Sequence, residues 1–515
     1  MNLAWRSAEP APAHITGSSE AVHRAVMVST KSPTGAWTFS RWGAPVGEWV
    51  ARSRVARRQR RRSSRSGAGA RRSAPIGIAG RAAIRAGQVA ALISRSSGVG
   101  SGSIITGRVA GALQPDLLAR LAHGRTSVVV TGTNGKTTTS HLLAAALGGR
   151  GAIAHNASGS NMVDGVTTAL IEARSAPLAV LEVDELHLGA VLGPVSPDVL
   201  VLLNLSRDQL DRVSEVGATA RTLRRLLERH PNIVVVANAD DPLVVWASGT
   251  AKRVVWVAAG SGWEADTLAC PSCGAGLARI RVGVDAGCWS CSACDLTRPV
   301  PVWVFQAGHD GTRGPQVRCG TDAPVPLNVA LPGRVNLGNA AMALAAAAQL
   351  GTDPAAAAPR LAQVTQAAGR YGYVEHRGRR VRMLLVKNPA GWGQALEMLV
   401  PDRPVLMMVN AREADGRDVS WLWDLPVDTL TGRSIVTCGE RAADVGVRLS
   451  YADIDHDTVP DPRTALEILP AGEVDAVVNY TAFLDLQRTF VTDVCGAGSP
   501  RAGDPIRDGQ EGRGT

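Results

Sequence analysis

Val128-Val129-Val130-Thr131-Gly132-Thr133-Asn134-Gly135-Lys136-Thr137-Thr138-Thr139 reads as an apolar strand that breaks into a glycine-bearing turn and passes into a helix from Ser140 to Leu147. Each piece suits phosphate binding. Glycines let backbone N–H groups approach phosphate oxygens, Lys136 reaches the terminal phosphates, the Thr137 hydroxyl ligates Mg²⁺, and the helix aims its positive end at the anion. The general phosphate-loop spacing asks for a glycine at position 130, where this chain has valine, so a shorter loop carries the assignment. Its residues Thr131, Gly132, Thr133, Asn134, Gly135, Lys136, Thr137 and Thr138 are the candidate nucleotide contacts.

Outward from the loop, residues 76–122 show a helical pattern of small and apolar side chains. Beyond it, apolar runs at 178–183, 199–203, 233–237 and 254–258 read as buried strands separated by helix-length crossovers. That alternation predicts a mostly parallel sheet with helices on both faces. The alanine-rich helix 339–350 belongs to this first set, and a second α/β set follows Gly369 with strands at 381–386, 405–409, 434–437 and 476–479. The expected domains are a central nucleotide-binding domain over 76–368 and an α/β domain over 369–495, with a Gly, Pro, Arg and Asp-rich tail over 496–515 expected to be disordered.

The 515 residues carry a net charge of +10, which suggests nucleic acid until it is located. Residues 1–75 hold 14 Arg and Lys against 3 Asp and Glu, and the remaining 440 hold 41 against 42. The basicity belongs to an N-terminal extension, whose arginines among Ser, Gly and Ala bury too little apolar surface to fold alone, so 1–75 is expected to be disordered. No stretch reaches the roughly 18 apolar residues of a membrane span, and no secretory signal is seen, so a cytoplasmic protein is expected. Lysine is scarce, only Lys31, Lys136, Lys252 and Lys387, which makes the lysine kept at 136 more informative.

Cys270-Pro-Ser-Cys273 and Cys291-Ser-Ala-Cys294 are two C-x₂-C knuckles 17 residues apart. Two such turns facing each other deliver the four thiolates that tetrahedral Zn²⁺ requires. A closed Cys₄ site leaves no open coordination position, so a structural zinc ribbon over 268–300 is expected. Cys288 lacks a matching partner in the first knuckle, while Cys319, Cys438 and Cys495 read as small apolar residues.

The loop Thr131–Thr138 resembles the ATP loop of the Mur ligase and folylpolyglutamate synthase superfamily. Together with the Cys₄ ribbon and the segments Lys387-Asn-Pro-Ala-Gly391, Ala414-Asp-Gly-Arg-Asp-Val-Ser-Trp-Leu-Trp-Asp424, Gly439-Glu-Arg-Ala-Ala-Asp444 and Asn479-Tyr-Thr-Ala-Phe483, it is similar to the MurT family, the ligase subunits of lipid II isoglutaminyl synthases. The likeness runs from about Ile76 to Cys495. It implies a P-loop Mur-ligase-type central domain with an inserted Cys₄ zinc ribbon, followed by a Rossmann-like α/β C-terminal domain. It also implies ATP-dependent activation of the D-glutamate α-carboxylate of lipid II as an acyl phosphate, which ammonia converts to D-isoglutamine. In that family the ammonia comes from a glutaminase subunit, GatD. The resemblance therefore implies ATP, Mg²⁺ and Zn²⁺, a heterodimer, action on lipid II at the inner face of the membrane, and no nucleic acid.

Roles follow for residues at the matching positions. Lys136 would hold the β- and γ-phosphates and neutralise charge as the γ-phosphoryl moves, and Thr137 would ligate Mg²⁺. Glu182, in Leu181-Glu182-Val183-Asp184-Glu185, is the first choice for a second Mg²⁺ contact, with Asp184 and Glu185 as alternates because strand alternation groups 182 with 184. An acidic strand end is the bland alternative. The segment Asn204 to Asp211 resembles the family's motif beside the γ-phosphate. Asn336 and Asn339 match the superfamily's nucleotide-contacting segment, with helix capping as competitor, and Arg370 in the hinge would reach the phosphates on closure. In the polar loop 413–418, Asp418 is the first choice and Asp424 the second for an acid that completes a partner's Cys-His pair, against simple capping of the next turn.

Two features depart from the wider superfamily. Residues 137–251 contain no lysine, so the carbamylated lysine of many Mur ligases is not expected. The folded stretch ahead of the loop, about Ile76 to Arg125, is short for a UDP-binding domain and favours a lipid-linked substrate. Competing readings are another amide ligase of the superfamily, or a zinc-ribbon nucleic-acid-binding protein, which the near-neutral charge of 76–515 disfavours.

Overall fold

The computed structural model describes residues 28–31, 37–40, 76–96, 104–148, 153–207, 216–261, 263–280, 287–306, 314–365 and 371–494. The first 70 residues form a unit of their own. Within it β1 (Val28–Lys31) and β2 (Trp37–Ser40) pair antiparallel, Val28 opposite Ser40. This ladder stands in the segment expected to carry no structure. Its two tetrapeptides, Val-Ser-Thr-Lys and Trp-Thr-Phe-Ser, are rich in β-branched and aromatic residues, whereas the arginine run 52–72 lies outside the described residues. The tail 496–515 lies outside them as well.

Residues 71–515 form the second unit. Three helices, Ile78–Ser96, Ile105–Leu113 and Leu117–Ala122, lead into β3 (Thr126–Thr131). The following strands are β4 (Ile153–His155), β5 (Leu178–Glu182), β6 (Val199–Leu202), β7 (Val234–Asn238) and β8 (Val254–Ala258). After a small hairpin of β9 (Leu277–Arg279) and β10 (Trp289–Cys291) come β11 (Trp303–Gln306), β12 (Gln316–Cys319) and β13 (Val325–Pro326). The large sheet has the order β13-β12-β11-β8-β7-β6-β3-β5-β4 and is parallel from β11 to β4. Its antiparallel edge, β11 to β13, is not among the strands the sequence suggests.

Alternation along the valine runs explains the two cores. Val129, Leu181, Leu200 and Val235 face one helical layer, and Val128, Val130, Val180, Val201 and Val236 face the other. The second layer holds the helices Lys136–Leu147 and Arg334–Gln349, which pack on each other. Alanines from 340 to 347 let their backbones approach closely.

The remaining strands β14 (Tyr371–His376), β15 (Arg379–Leu385), β16 (Val405–Met408), β17 (Ile435–Cys438), β18 (Asp457–Thr458) and β19 (Gly472–Val478) form a second sheet in the order β14-β15-β19-β16-β17-β18. All its pairs but β14–β15 are parallel, with apolar cores on both faces. Its one fully buried acid, Asp475, is neutralised by Arg382 at 2.8 Å and Arg403 at 3.0 Å, and it also accepts the Val400 N–H at 2.9 Å.

Candidate phosphate-loop site and cysteine cluster

Gly135 caps the helix Lys136–Leu147 in the left-handed conformation, φ 83°. A side-chain carbon there would also sit 2.7 Å from Asn339 Oδ1, so conformation and close approach both demand glycine. The loop is pinned from the end of β6. The Asn134 N–H donates to Asn204 Oδ1 at 2.9 Å, Asn204 Nδ2 donates to the Asn134 carbonyl at 3.0 Å, and the Ser206 N–H donates to Thr133 Oγ1 at 3.0 Å. What remains for a ligand is the first helical turn, whose N–H groups have no carbonyl a turn earlier in the helix to accept from them.

Lys136 is 5% exposed. Its ammonium donates to Glu185 Oε2 at 2.9 Å and lies 3.9 Å from Asp184. Burial opposes the charge, but Glu185, Asp184 and Glu182 outweigh it and hold the lysine above its ordinary value. Glu182, 1% exposed, accepts from Asn161 Nδ2 through Oε1, while its Oε2 is buried with no partner. A carbon built on Gly159 would lie 3.6 Å from Thr137 Oγ1 and 4.0 Å from that orphan oxygen, so the hydroxyl and the carboxylate flank one small space. Two oxygens so placed fit a hard divalent cation such as Mg²⁺. Alternation does not group Glu182 with Asp184 as the sequence suggests, because β5 ends at Glu182. Asp184 accepts the Leu186 N–H at 3.0 Å in a turn, and Glu185 serves the lysine.

Asn336 and Asn339 lie inside the helix Arg334–Gln349, whose N-cap is Gly333, so neither is its cap. Asn339 Nδ2 donates to Asn336 Oδ1 at 3.2 Å, and Asn336 Nδ2 donates to the Tyr371 hydroxyl at 3.1 Å. Thr131 and Thr138 are buried with the loop. Arg370 and residues 208–211 lie outside the described residues. A residue of the segment Lys387–Gly391 to which the sequence assigns no role in the site reaches the loop from just beyond β15. Asn388 Nδ2 donates to Asn134 Oδ1 at 3.1 Å, and Asn134 Nδ2 returns a bond to Asn388 Oδ1 at 3.2 Å. Its legible signal is Asn-Pro as a helix start, since Asn388 caps Pro389–Glu397 by accepting the Gly391 N–H.

Beside the loop, at the carboxyl ends of β6, β7 and β8, lies a cavity of about 660 Å³ bounded by Asn204, Asn238, Asp240, Gly260, Arg298 and Asn339. Carboxyl ends of parallel strands are where open α/β sheets take ligands.

The sulfurs of Cys270, Cys273, Cys291 and Cys294 lie within 4.8 Å of one another. Cys270 and Cys294 are 3.7 Å apart and Cys273 and Cys291 3.4 Å. A tetrahedral zinc with bonds of about 2.3 Å places its sulfurs about 3.8 Å apart, so the cluster fits Zn²⁺. The N–H groups of Ser272 and Ala293 donate to the sulfurs of Cys270 and Cys291, and the Ala293 bond lowers the Cys291 thiol. Cys288 stands outside the cluster, accepting from Arg298 Nη1 at 3.9 Å. Cys438 is in the core, where burial pushes its thiol up to about 12. Cys495 lies outside the described residues.

The two candidate acids of the C-terminal sheet part ways. Asp418 is exposed and accepts the Ser420 N–H two residues on at 2.8 Å, a local turn bond that lowers its carboxyl. Asp424 lies 3.3 Å from Arg207 Nη2 and so faces the central sheet of its own chain. The intervening turn Ser420–Asp424 buries Trp421 and leaves Trp423 53% exposed, edge-on to Tyr451, which is 76% exposed.

Residues 130–268 match the Mur ligase middle domain family, and residues 385–483 match the MurT ligase C-terminal family. The lipid II isoglutaminyl synthase subunit MurT of Streptococcus pneumoniae is 28% identical over 77% of this chain and 94% of its own length. That of Staphylococcus aureus is 29% identical over 79% and 98%. The chain is similar to these MurT subunits over more than three quarters of its length. Among solved structures, MurF ligase from Thermotoga maritima in complex with ADP is similar at a TM-score of 0.52 and 17% identity, over 74% of this chain and 84% of that one. The MurT-type C-terminal match begins at β15 and takes in Asn388, Asp418 and Asp424, and the Mur ligase match takes in the phosphate loop and Glu182. Among the described residues, no helix is long and apolar enough to cross a membrane.

Proposed function

We propose that this chain is the ATP-dependent ligase subunit of a lipid II isoglutaminyl synthase, converting the D-glutamate α-carboxylate of lipid II to an amide. The observation that carries the proposal is the orphan Glu182 oxygen sharing one space with the Thr137 hydroxyl at the mouth of a phosphate loop, in a chain that covers nearly all of two MurT subunits. The first-turn N–H groups and Lys136 would bind the β- and γ-phosphates of ATP. Thr137 and Glu182 would hold Mg²⁺, which screens the phosphate charge when bound. The substrate carboxylate oxygen attacks the γ-phosphorus and ADP leaves. Ammonia then attacks the acyl carbon of the acyl phosphate, and phosphate departs with the former carboxylate oxygen. Asn388, bonded to Asn134, would keep the C-terminal sheet in register with the loop. The cysteine cluster would hold a structural Zn²⁺.

Ammonia would come from a GatD-type glutaminase bound at the exposed Trp423 and Tyr451 surface, with Asp418 as the acid that orients the partner's histidine. Action on lipid II would place the enzyme at the inner face of the membrane. The test is reconstitution of the chain with a glutaminase on lipid II, with mass spectrometry of the product. Amide formation requiring ATP, with either glutamine or ammonium as nitrogen source, is expected; ligation of an amino acid to a soluble UDP-linked precursor instead would overturn the proposal.

A further inference from the structure

The ribbon does more than close a metal site. It fills the crossover between β8 and β11, neighbouring parallel strands that a helix ordinarily links. Three tethers fasten it to the strand ends beside the phosphate loop. Trp289, 2% exposed, donates its indole N–H to the Ala239 carbonyl at 3.2 Å. Arg298 Nε donates to Asp240 Oδ1 at 2.7 Å, and the other oxygen of Asp240 accepts the Gly260 N–H at 2.7 Å. Asp266, in the ribbon's stem, accepts from the backbone N–H of Arg207 at 2.7 Å and from its Nε at 2.6 Å.

Ala239 and Asp240 follow β7, Gly260 follows β8, and Arg207 lies three residues beyond Asn204, which pins the loop. The tethers therefore set Arg279, Ile280 and Arg298 as a wall of the 660 Å³ cavity, whose lining also includes Asn204 and Asn339 at the phosphate loop. Trp263, on the ribbon's stem, lines the same cavity, and its indole nitrogen is buried with no partner. It packs on the helix Pro389–Glu397, where a side-chain carbon at Gly393 would come within 3.3 Å of its ring.

With the triphosphate on the loop, the part of ATP left to place is a flat base and a ribose diol. The cavity adjoining the loop is within the usual size of a small-molecule site and joins apolar walls to polar ones. We propose that the ribbon is the outer wall of the nucleoside pocket, and that Arg298, through its pair with Asp240, is a positioning residue that sets nucleoside affinity. This rests on ATP binding at the phosphate loop.

Calorimetry on the complex with its glutaminase would compare a non-hydrolysable ATP analogue with inorganic tripolyphosphate, both with Mg²⁺. Arg298→Gln is expected to weaken the nucleotide on the order of tenfold and to leave tripolyphosphate within about twofold, with Arg298→Lys recovering part of the loss. Ile280→Trp, which adds bulk at a cavity-lining position without touching a tether, is expected to show the same selectivity and decides the matter if Arg298→Gln does not fold. Unchanged nucleotide affinity in both variants, or equal loss for both ligands, would overturn the ribbon's role. Failure of the unaltered protein to bind either ligand would instead overturn the phosphate-loop assignment, and the ribbon's role with it.

Discussion

Replacing Lys136 with methionine keeps the length of the side chain and removes its charge. In the folded chain the ammonium is 5% exposed, 2.9 Å from Glu185 and 3.9 Å from Asp184. The single substitution leaves Glu185, 9% exposed, as a nearly buried carboxylate without its cation, and the expected cost is about 3–5 kcal/mol of stability. Lys136→Met combined with Glu185→Gln removes both charges and is expected to recover most of that loss. Turnover behaves differently. A preorganised donor aimed at developing charge is worth about 10²–10³-fold in rate, and the double variant supplies no replacement for it at the γ-phosphoryl group. ATP consumption and amide formation, measured beside urea denaturation of each variant, separate the two effects. A double variant as active as the parent, or a single variant whose rate loss vanishes once corrected for the folded fraction, would refute this reasoning.

The cysteine cluster predicts about one zinc per chain, and Cys273→Ser is expected to lower zinc content and to cost about 3 kcal/mol in denaturation, since metal affinity of such sites is largely folding energy; full stability without metal would contradict it. Asp241, which accepts the N–H groups of Leu205, Leu243 and Val244, is pushed by burial from 3.8 up to about 6. Because the unfolded carboxyl ionises first, stability is expected to fall by about 3 kcal/mol as pH rises through that window and to level off above it. Asp241→Asn should flatten this step, and an unchanged step in denaturation across the window would assign it to other groups. Asp418→Asn keeps an oxygen that can accept the Ser420 N–H, so complex formation and ammonia-driven amidation are expected to persist while glutamine-driven amidation drops sharply; equal loss with both nitrogen sources would rule out a shared triad.

Local chemistry made much of the framework legible. The valine runs of β3, β6 and β7 are buried central strands, and β8 is buried at Val255, Val257 and Ala258, so apolar continuity is a direct signal. The two C-x₂-C turns likewise announce their convergence through spacing alone. The edge β11 to β13 is another matter, because Trp303–Gln306 and Gln316–Cys319 mix polar and apolar residues, and their place is set by pairing with a distant strand. Three residues of β4 are too few to show a period. Within the site, the choice among Glu182, Asp184 and Glu185 for the second Mg²⁺ contact turns on where β5 ends, a boundary that pattern does not fix. The contact of Asn388 with Asn134 spans 254 positions and becomes visible only when the two sheets are assembled. The loop 413–418 reads as uniformly polar, yet Asp415 is buried under Thr481, accepting its N–H at 2.9 Å, and only the fold distinguishes it from the exposed Asp418.

The central claim is chemical: carboxylate activation at the phosphate loop by γ-phosphoryl transfer. Lipid II carrying a heavy-oxygen label in both oxygens of the D-glutamate α-carboxylate tests it directly, with mass spectrometry of the inorganic phosphate released during amidation. The account predicts one labelled oxygen in each phosphate formed, with ADP as the other nucleotide product. Phosphate free of label, or release of AMP and pyrophosphate, would contradict it.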